Sequence, residues 1–154
     1  MIEFRKAGYG DINGLIRLRL EFLNEVQKVG SPSEDAALKA KLKDYFMVNM
    51  KAGSFSSWIA VDNGVIVGTS GICYYALPPS YNRITGNVAY IMNMYTQPAY
   101  RGKGIAPSLF EKLLVEAKDR GCHKISLNAT EMGRPLYMKF GFKESNDEMV
   151  LTLS

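Results

Sequence analysis

Long hydrophobic runs are absent from this sequence, and histidine and cysteine are scarce in it. Its apolar runs, such as those at 59–61 and 65–67, fall far short of the roughly 20 residues that a membrane-spanning helix needs. The two cysteines, Cys73 and Cys122, have no CxxC or metal-ligand spacing, so the sequence predicts neither a metal site nor a disulfide framework. The one histidine, His123, follows a glycine turn and is predicted to be exposed rather than catalytic.

A secretory leader and a strongly basic patch are also missing. Residues 1–6 lack the basic-then-apolar order of a secretory signal, so a cytoplasmic location is expected. Lysine and arginine together number 19 against 15 acidic residues, a formal net charge of +4. Apart from Arg101 and Lys103, the basic residues are scattered among acidic ones, with no basic run interleaved with aromatic residues. Neither a nucleic-acid partner nor a membrane partner is therefore expected.

Composition and periodicity indicate a globular α/β protein. The chain has 154 residues, 47% hydrophobic and 22% charged, which predicts one domain over residues 1–154. Strands are predicted at 2–5, 57–62, 65–75, 86–96, 124–128, 142–143 and 148–153. Helices are predicted from an Asp11 cap to a stop at Gly30, and over about 33–52, 105–120 and 132–140. Asn63-Gly64 predicts a hairpin, and the order β-α-α-β-β-β-α-β-α-β-β predicts a mixed sheet with helices on both faces.

The most informative segment passes from a strand through a glycine-rich turn into a helix. Gly102 and Gly104 permit positive φ and close approach of the backbone to a phosphate group. Unpaired N–H groups at the start of the next helix, together with the helix dipole, favour an anion there. Arg101 and Lys103 can add charge-assisted hydrogen bonds. The turn therefore predicts a diphosphate site, the alternative being a glycine turn before an ordinary helix.

Two other phosphate-binding loops are excluded by single positions of this turn. A Walker loop needs serine or threonine after its lysine, where this chain has Gly104. A dinucleotide-binding fingerprint needs a third glycine, where this chain has Pro107.

The pattern that remains, Arg/Gln-x-x-Gly-x-Gly/Ala, is matched by Arg101, Gly104 and Ala106 and resembles the coenzyme A signature of the GNAT (general N-acetyltransferase) superfamily. A second segment, Arg134 to Phe142, resembles the family's Tyr-containing segment that ends in Gly-Phe. The element order matches along essentially the whole chain. The resemblance implies a mixed, mostly antiparallel central sheet, acetyl-CoA as cofactor, and direct acetyl transfer to an amine of a small molecule or peptide. It leaves a homodimer open.

The resemblance also implies which residues contact acetyl-CoA. Pantetheine would lie between the strands at 86–96 and 124–128, bonded to the backbone at Met94 and Thr96. Thr130 stands where the family often has asparagine, and its hydroxyl could serve the cofactor instead. The implied cofactor-binding residues are Met94, Tyr95, Thr96, Arg101, Gly102, Lys103, Gly104, Ile105, Ala106, Thr130 and Tyr137.

The reaction itself requires an acid, a base and an oriented acceptor. The resemblance implies that Tyr137 protonates the departing thiolate, the alternative being a core tyrosine. Many members of the family carry a glutamate that acts as the general base on the strand that corresponds to 86–96. Residues 90–94 of this chain include no glutamate. Glu21 and Glu25 on the first helix, and Glu131, are candidates for the base; solvated helix faces or capping are the alternatives. Asn93 is a candidate for orienting substrate or water.

The sequence is also compatible with two other functions. Because no base is identifiable, the chain could be a non-catalytic domain that binds or senses coenzyme A. It could also be an interaction module whose basic loop contacts an acidic partner. The residues of the first two helices and of the loop at 77–86 indicate no particular acceptor.

Overall fold

Strands from both halves of the chain join one mixed sheet in this computed structural model, which describes residues 1–27 and 30–154. The strands are β1 (Ile2–Lys6), β2 (Phe55–Ser56), β3 (Trp58–Asp62), β4 (Val65–Ala76), β5 (Asn87–Thr96) and β6 (Lys124–Leu127). The helices are α1 (Ile12–Val26), α2 (Pro32–Ala52), α3 (Ile105–Asp119) and α4 (Arg134–Lys139). The sheet order is β1-β3-β4-β5-β6, with the short β2 beside β4. Among the described residues only the β5–β6 pair is parallel, which confirms the predicted mixed, mostly antiparallel sheet.

The predicted hairpin at Asn63-Gly64 joins β3 to β4. Both turn residues have positive φ, 48° at Asn63 and 78° at Gly64, as a type I′ turn requires. Asp62 pairs with Val65 across the turn, so the hairpin prediction is confirmed.

Helices cover both faces of the sheet because strand residues alternate between two cores. On β3, Ile59 packs with α1 and α2, whereas its neighbour Ala60 packs against α3. On β5, Ile91 belongs to the core beneath α3 and α4, whereas Tyr95 belongs to the core beneath α1 and α2. The two helix layers therefore lie on opposite faces of the sheet.

The helix starts differ in part from the predictions. Ser31 caps α2 through a capping box with Glu34, so this helix begins at Pro32. Asp11 does not cap α1 with its side chain. Its carboxylate accepts a hydrogen bond from the Gly8 N–H at 2.8 Å and pairs with Arg5 at 2.8 Å. The side chain thus closes the turn before α1 and ties it to β1.

The last two predicted strands are wrong. Residues 142–154 form no strand in the part of the chain that the structure describes. The apolar side chains between 149 and 153 are exposed, including Met149 at 94% and Leu151 at 83%. The alternating pattern does not produce a strand here because no neighbouring strand pairs with its backbone groups. The predicted buried strand at 124–128 is instead the half-buried β6, because it lies at the sheet edge beside β5 alone. None of the described helices is long and apolar enough to cross a membrane.

A half-buried carboxylate, Glu116 of α3, ties this helix to the sheet. It accepts hydrogen bonds from the Tyr74 hydroxyl and from Trp58 Nε1 at 3.2 Å, and pairs with Lys6 Nζ at 3.1 Å. Burial acts to raise the pKa of Glu116, but the hydrogen bonds from Tyr74 and Lys6 outweigh it and lower this pKa below its ordinary value. The ionised carboxylate is therefore the form that the fold stabilises.

Replacing Glu116 with glutamine is expected to lower the free energy of unfolding at pH 7 by about 1 to 3 kcal/mol, a typical cost for a buried group that loses its partners. A carboxyl whose pKa is lowered by folding stabilises the fold above its unfolded pKa, about 4.3, and loses that contribution as the pH falls through the folded pKa. The gap between parent and variant should therefore narrow from pH 7 to pH 3 in urea titrations. Glu111→Gln, an exposed change on the same helix, should show no comparable loss at either pH.

Candidate active site

Pairing between β5 and β6 ends before β5 does. The ladder runs from Val88 opposite Lys124 to Ile91 opposite Leu127. β5 then continues to Thr96 without this neighbour, since β6 ends at Leu127. One edge of β5 is therefore left without a strand partner among the described residues, next to the turn that leads into α3.

A bulge at Asn93 marks the same point. β4 advances from Thr69 to Gly71 while β5 advances from Tyr95 to Met92, so β5 carries one extra residue. Asn93 has φ of 58°, and its carbonyl accepts a hydrogen bond from Thr69 Oγ1 at 3.0 Å. Its side chain is 4% exposed, and neither Oδ1 nor Nδ2 has a hydrogen-bond partner among the described residues. A buried amide without partners costs about 1 to 3 kcal/mol, which points to a ligand as its partner.

A cavity of about 330 Å³ lies beside Asn93, on the face of the sheet covered by α1 and α2. Its walls are mainly apolar and aromatic, with Tyr45, Phe46 and Met92 among them, and Arg19 is the only charged residue that lines it among the described residues. Arg19 is not among the site residues predicted from the sequence. It follows Leu15 and Ile16 by one helical turn on the buried stripe of α1. A charged residue on such an apolar stripe is unusual, and this feature of the sequence indicates a candidate site residue.

A second cavity, of about 300 Å³, lies at the opposite end of β5. Asn87 and Val88 line it, together with Tyr75 and Arg120. It lies at the start of β5, whereas the glycine turn follows the end of this strand. The unpaired Asn93 amide is not among its lining residues, so this cavity is not the candidate site.

The glycine turn has the conformation that the sequence predicts for an anion site. Gly102 and Gly104 have φ of 79° and 78°, and Gly104 precedes the 15-residue α3 directly. A Cβ built on either glycine would meet no atom within 4 Å, so the space outside the turn is open. The side chain of Ile105 is 2% exposed and belongs to the core, so this residue offers a ligand only its backbone.

Arg101 faces the sheet and α1 in this structure. Its Nε donates to the Thr96 carbonyl at 2.9 Å, and its Nη2 donates to both carboxylate oxygens of Glu25 at 3.1 and 3.0 Å. The Tyr95 hydroxyl also donates to Glu25, at 2.9 Å. Burial acts to raise the pKa of Glu25, but the hydrogen bonds from Tyr95 and Arg101 lower it. The ionised Glu25 carboxylate thus holds Tyr95 and Arg101, and its lowered pKa disfavours it as the general base. The contact between Arg101 and the diphosphate stays a prediction.

The other predicted polar residues lie around this region without forming one cluster. Glu21 accepts hydrogen bonds from Gln97 Nε2 at 3.2 and 3.3 Å, which places it near the end of β5. Thr130 is exposed, and its Oγ1 accepts a hydrogen bond from the Gly133 N–H at 3.1 Å. Glu131 is exposed. His123 is also exposed, as the sequence predicts.

Tyr137 lies on the α3–α4 face of the sheet, 8% exposed. Its ring packs against Phe110 at 5.2 Å and Phe142 at 6.3 Å between centroids, in the same core as Ile91. No hydrogen bond of its hydroxyl occurs among the described residues, and burial raises the phenol pKa. Because Ile91 is the last β5 residue paired with β6, Tyr137 and Asn93 flank the end of this ladder from opposite faces.

Comparison with known proteins shows which family this chain resembles. Residues 19–142 match the acetyltransferase (GNAT) family. The chain belongs to this family. The crystal structure of a predicted acetyltransferase of Clostridium acetobutylicum with acetyl-CoA superposes on it with a TM-score of 0.90 and 35% identity, over 99% of this chain and 97% of the other. A GCN5-related N-acetyltransferase of Ralstonia eutropha has a TM-score of 0.85 at 24% identity over 100% of both chains, which supports the GNAT fold.

Curated relatives of this GNAT chain are N-acetyltransferases by name. Glucosamine 6-phosphate N-acetyltransferase of Trypanosoma brucei brucei is 31% identical over 90 residues. The match covers 58% of this chain and 59% of that enzyme, less than two thirds of its length. Thialysine N-epsilon-acetyltransferase of Bos taurus is 26% identical over 149 residues, 93% of this chain and 85% of the relative.

Proposed function

We propose that this GNAT chain acts as a single-domain cytoplasmic N-acetyltransferase over residues 1–154, which transfers an acetyl group from acetyl-CoA to a primary amine of a small molecule or peptide. The glycine turn carries this proposal: two left-handed glycines open directly onto the start of α3, beside the unpaired edge of β5. The names of the relatives, which act on glucosamine 6-phosphate and thialysine, support an amine acceptor.

The residues present fit acetyl-CoA. Backbone N–H groups from Gly102 to Ala106 would hold the diphosphate in the open space outside the turn, with Lys103 adding positive charge. Pantetheine would follow the unpaired β5 edge, with backbone bonds at Met94 and Thr96. When bound, acetyl-CoA supplies an acetyl group activated as a thioester.

The chain's own groups meet the remaining requirements of the reaction. Backbone N–H groups of β5 would stabilise the negative charge that develops on the carbonyl oxygen. The Tyr137 hydroxyl, kept neutral by its raised pKa, would give its proton to the departing thiolate. The amine must first lose a proton, to Glu21 or to water, and the Asn93 amide would orient the amine. Thr130 would support the cofactor with its hydroxyl.

Calorimetry and a thiol-release assay together test the proposed function. Acetyl-CoA should bind with an affinity better than millimolar, and some members of a broad amine panel should cause release of free thiol from it. Absence of binding at millimolar concentration would contradict the proposal outright. Tight binding with release at background for every amine would favour the non-catalytic coenzyme A binding domain, for which the lack of a glutamate on β5 is the argument.

Arg101→Ala is expected to weaken acetyl-CoA binding at least about tenfold, since a charge-assisted hydrogen bond contributes about 1.5 to 3 kcal/mol. Glu25→Gln separates two explanations of such a loss. If Arg101 turns to the diphosphate, removing the Glu25 charge should leave the affinity within about threefold or improve it, because Arg101 loses its competing partner. An equal loss in both variants, measured by calorimetry, would show that the ion pair acts only by holding α1 against β5.

A further inference from the structure

The cavity beside Asn93 is placed where an acceptor would meet the acetyl group. It opens on the α1–α2 face of the sheet, whereas Tyr137 lies on the α3–α4 face. The β5–β6 ladder ends after Ile91, so beyond this residue no backbone hydrogen bonds between these two strands separate the two faces. Its volume of about 330 Å³ is near the lower end of the usual range for small-molecule pockets, roughly 300 to 1,000 Å³.

Arg19 brings an uncompensated positive charge into this cavity. The guanidinium is half-buried and lies 5.9 Å from the centroid of the Phe22 ring, and within residues 1–27 and 30–154 it makes no hydrogen bond and no ion pair. The carboxylates of its own helix are engaged elsewhere: Glu21 with Arg17 and Gln97, Glu25 with Arg101. A guanidinium that faces a mainly apolar cavity with no carboxylate beside it is a favourable position for an anionic group of a ligand.

Asn93 provides the second, independent observation. Its amide is nine-tenths buried, lines the same cavity, and has both a donor and an acceptor without a partner. The Tyr45 hydroxyl, in contrast, already has a hydrogen-bond partner, Cys73 Sγ at 2.8 Å. The cavity thus offers a cation on α1, a free amide on the β5 bulge, and apolar walls between them.

We propose that Arg19 binds an anionic group of the acceptor, and that the preferred acceptors are small primary amines that also carry a phosphate or a carboxylate. This rests on the proposed N-acetyltransferase function and names its substrate class. The Arg19 guanidinium holds the anion in a bidentate manner at one end of the cavity. The Asn93 amide then contacts the amine end of the acceptor beside the end of the β5–β6 ladder. Arg19 is a specificity-determining residue in this scheme and takes no proton.

Matched acceptor pairs test the proposal. Glucosamine 6-phosphate is compared with glucosamine for the phosphate arm, and lysine with 1,5-diaminopentane for the carboxylate arm. The parent protein should prefer the anionic member of at least one pair by about tenfold or more in kcat/KM. The arm that shows this preference identifies the anion.

Three variants assign the preference to Arg19. Arg19→Met should lower kcat/KM for the anionic member by about 10- to 100-fold and change it less than about threefold for the neutral member. Arg19→Lys should keep part of the preference, because the charge remains without the planar fork. Lys43→Met, an exposed change on α2 with the same loss of charge, should leave the preference intact. Acetyl-CoA affinity should be unchanged in all three.

Equal kcat/KM for both members of both pairs in the parent would overturn the proposal, as would a loss in Arg19→Met that is the same for anionic and neutral acceptors. In both cases turnover of amines would leave the proposed function standing. If no amine is acetylated, the proposed function fails, and calorimetry of glucosamine 6-phosphate and lysine with coenzyme A present decides on Arg19. Binding that Arg19→Met weakens at least about tenfold supports the anion site, and absence of binding overturns it.

Discussion

Gly104→Val is expected to weaken acetyl-CoA binding by at least about 100-fold while leaving the protein folded. A side chain at φ of 78° is strained, and a branched Cβ would fill the open space through which the diphosphate approaches the backbone. The strain alone acts on stability, whereas the blocked approach acts on binding. Calorimetry with acetyl-CoA, together with a thermal melt, measures both effects.

Gly53→Val is the matched control for this change. Gly53 has φ of 77° and ψ of 10°, against 78° and 13° at Gly104, and a Cβ at either glycine would meet no atom within 4 Å. Both variants should therefore lose a similar amount of stability, but Gly53→Val should bind acetyl-CoA like the parent. Equal affinities in the two variants would mean that the turn does not hold the diphosphate.

Tyr137→Phe is expected to lower kcat at least about tenfold, which corresponds to about 1.4 kcal/mol of transition-state stabilisation. The change removes only the hydroxyl, which has no hydrogen-bond partner among the described residues, so acetyl-CoA affinity and Tm should stay near those of the parent. Burial raises the phenol pKa, so the acid form persists through neutral pH and is lost only as the pH rises above that raised value.

Tyr74→Phe should give the reverse pattern. Its hydroxyl donates to Glu116 on α3, so its removal should lower Tm and leave kcat for the remaining folded protein unchanged. If Tyr137→Phe behaved like Tyr74→Phe, with a lower Tm and the parent's kcat, Tyr137 would be a core tyrosine. The thiolate would then leave unprotonated or take its proton from water.

The sequence predicts those features whose cause lies within a few residues. The Asn63-Gly64 turn and the glycine turn before α3 depend on local backbone preferences, and both have the predicted conformation. The C-terminal strands fail because a strand also needs a partner, and an alternating apolar pattern such as that at 148–153 does not reveal whether one exists.

The candidate site was predictable only on the cofactor side. The bulge at Asn93 arises from the register between β4 and β5, which no local pattern of β5 specifies. Arg19 was not predicted because what distinguishes it is that no carboxylate pairs with it. The two carboxylates of its helix, Glu21 and Glu25, instead bind Gln97 and Arg101, which are distant in sequence. The pairing of Arg101 with Glu25 joins positions far apart in the chain and was likewise beyond local inference.

A structure determined with bound acetyl-CoA tests the central claim most directly. The diphosphate is expected to accept hydrogen bonds from backbone N–H groups between Gly102 and Ala106. The thioester sulfur is expected at the end of the β5–β6 ladder, within about 3.5 Å of the Tyr137 hydroxyl. Acetyl-CoA bound instead in the cavity beside Arg120, with the glycine turn free of contacts, would contradict it.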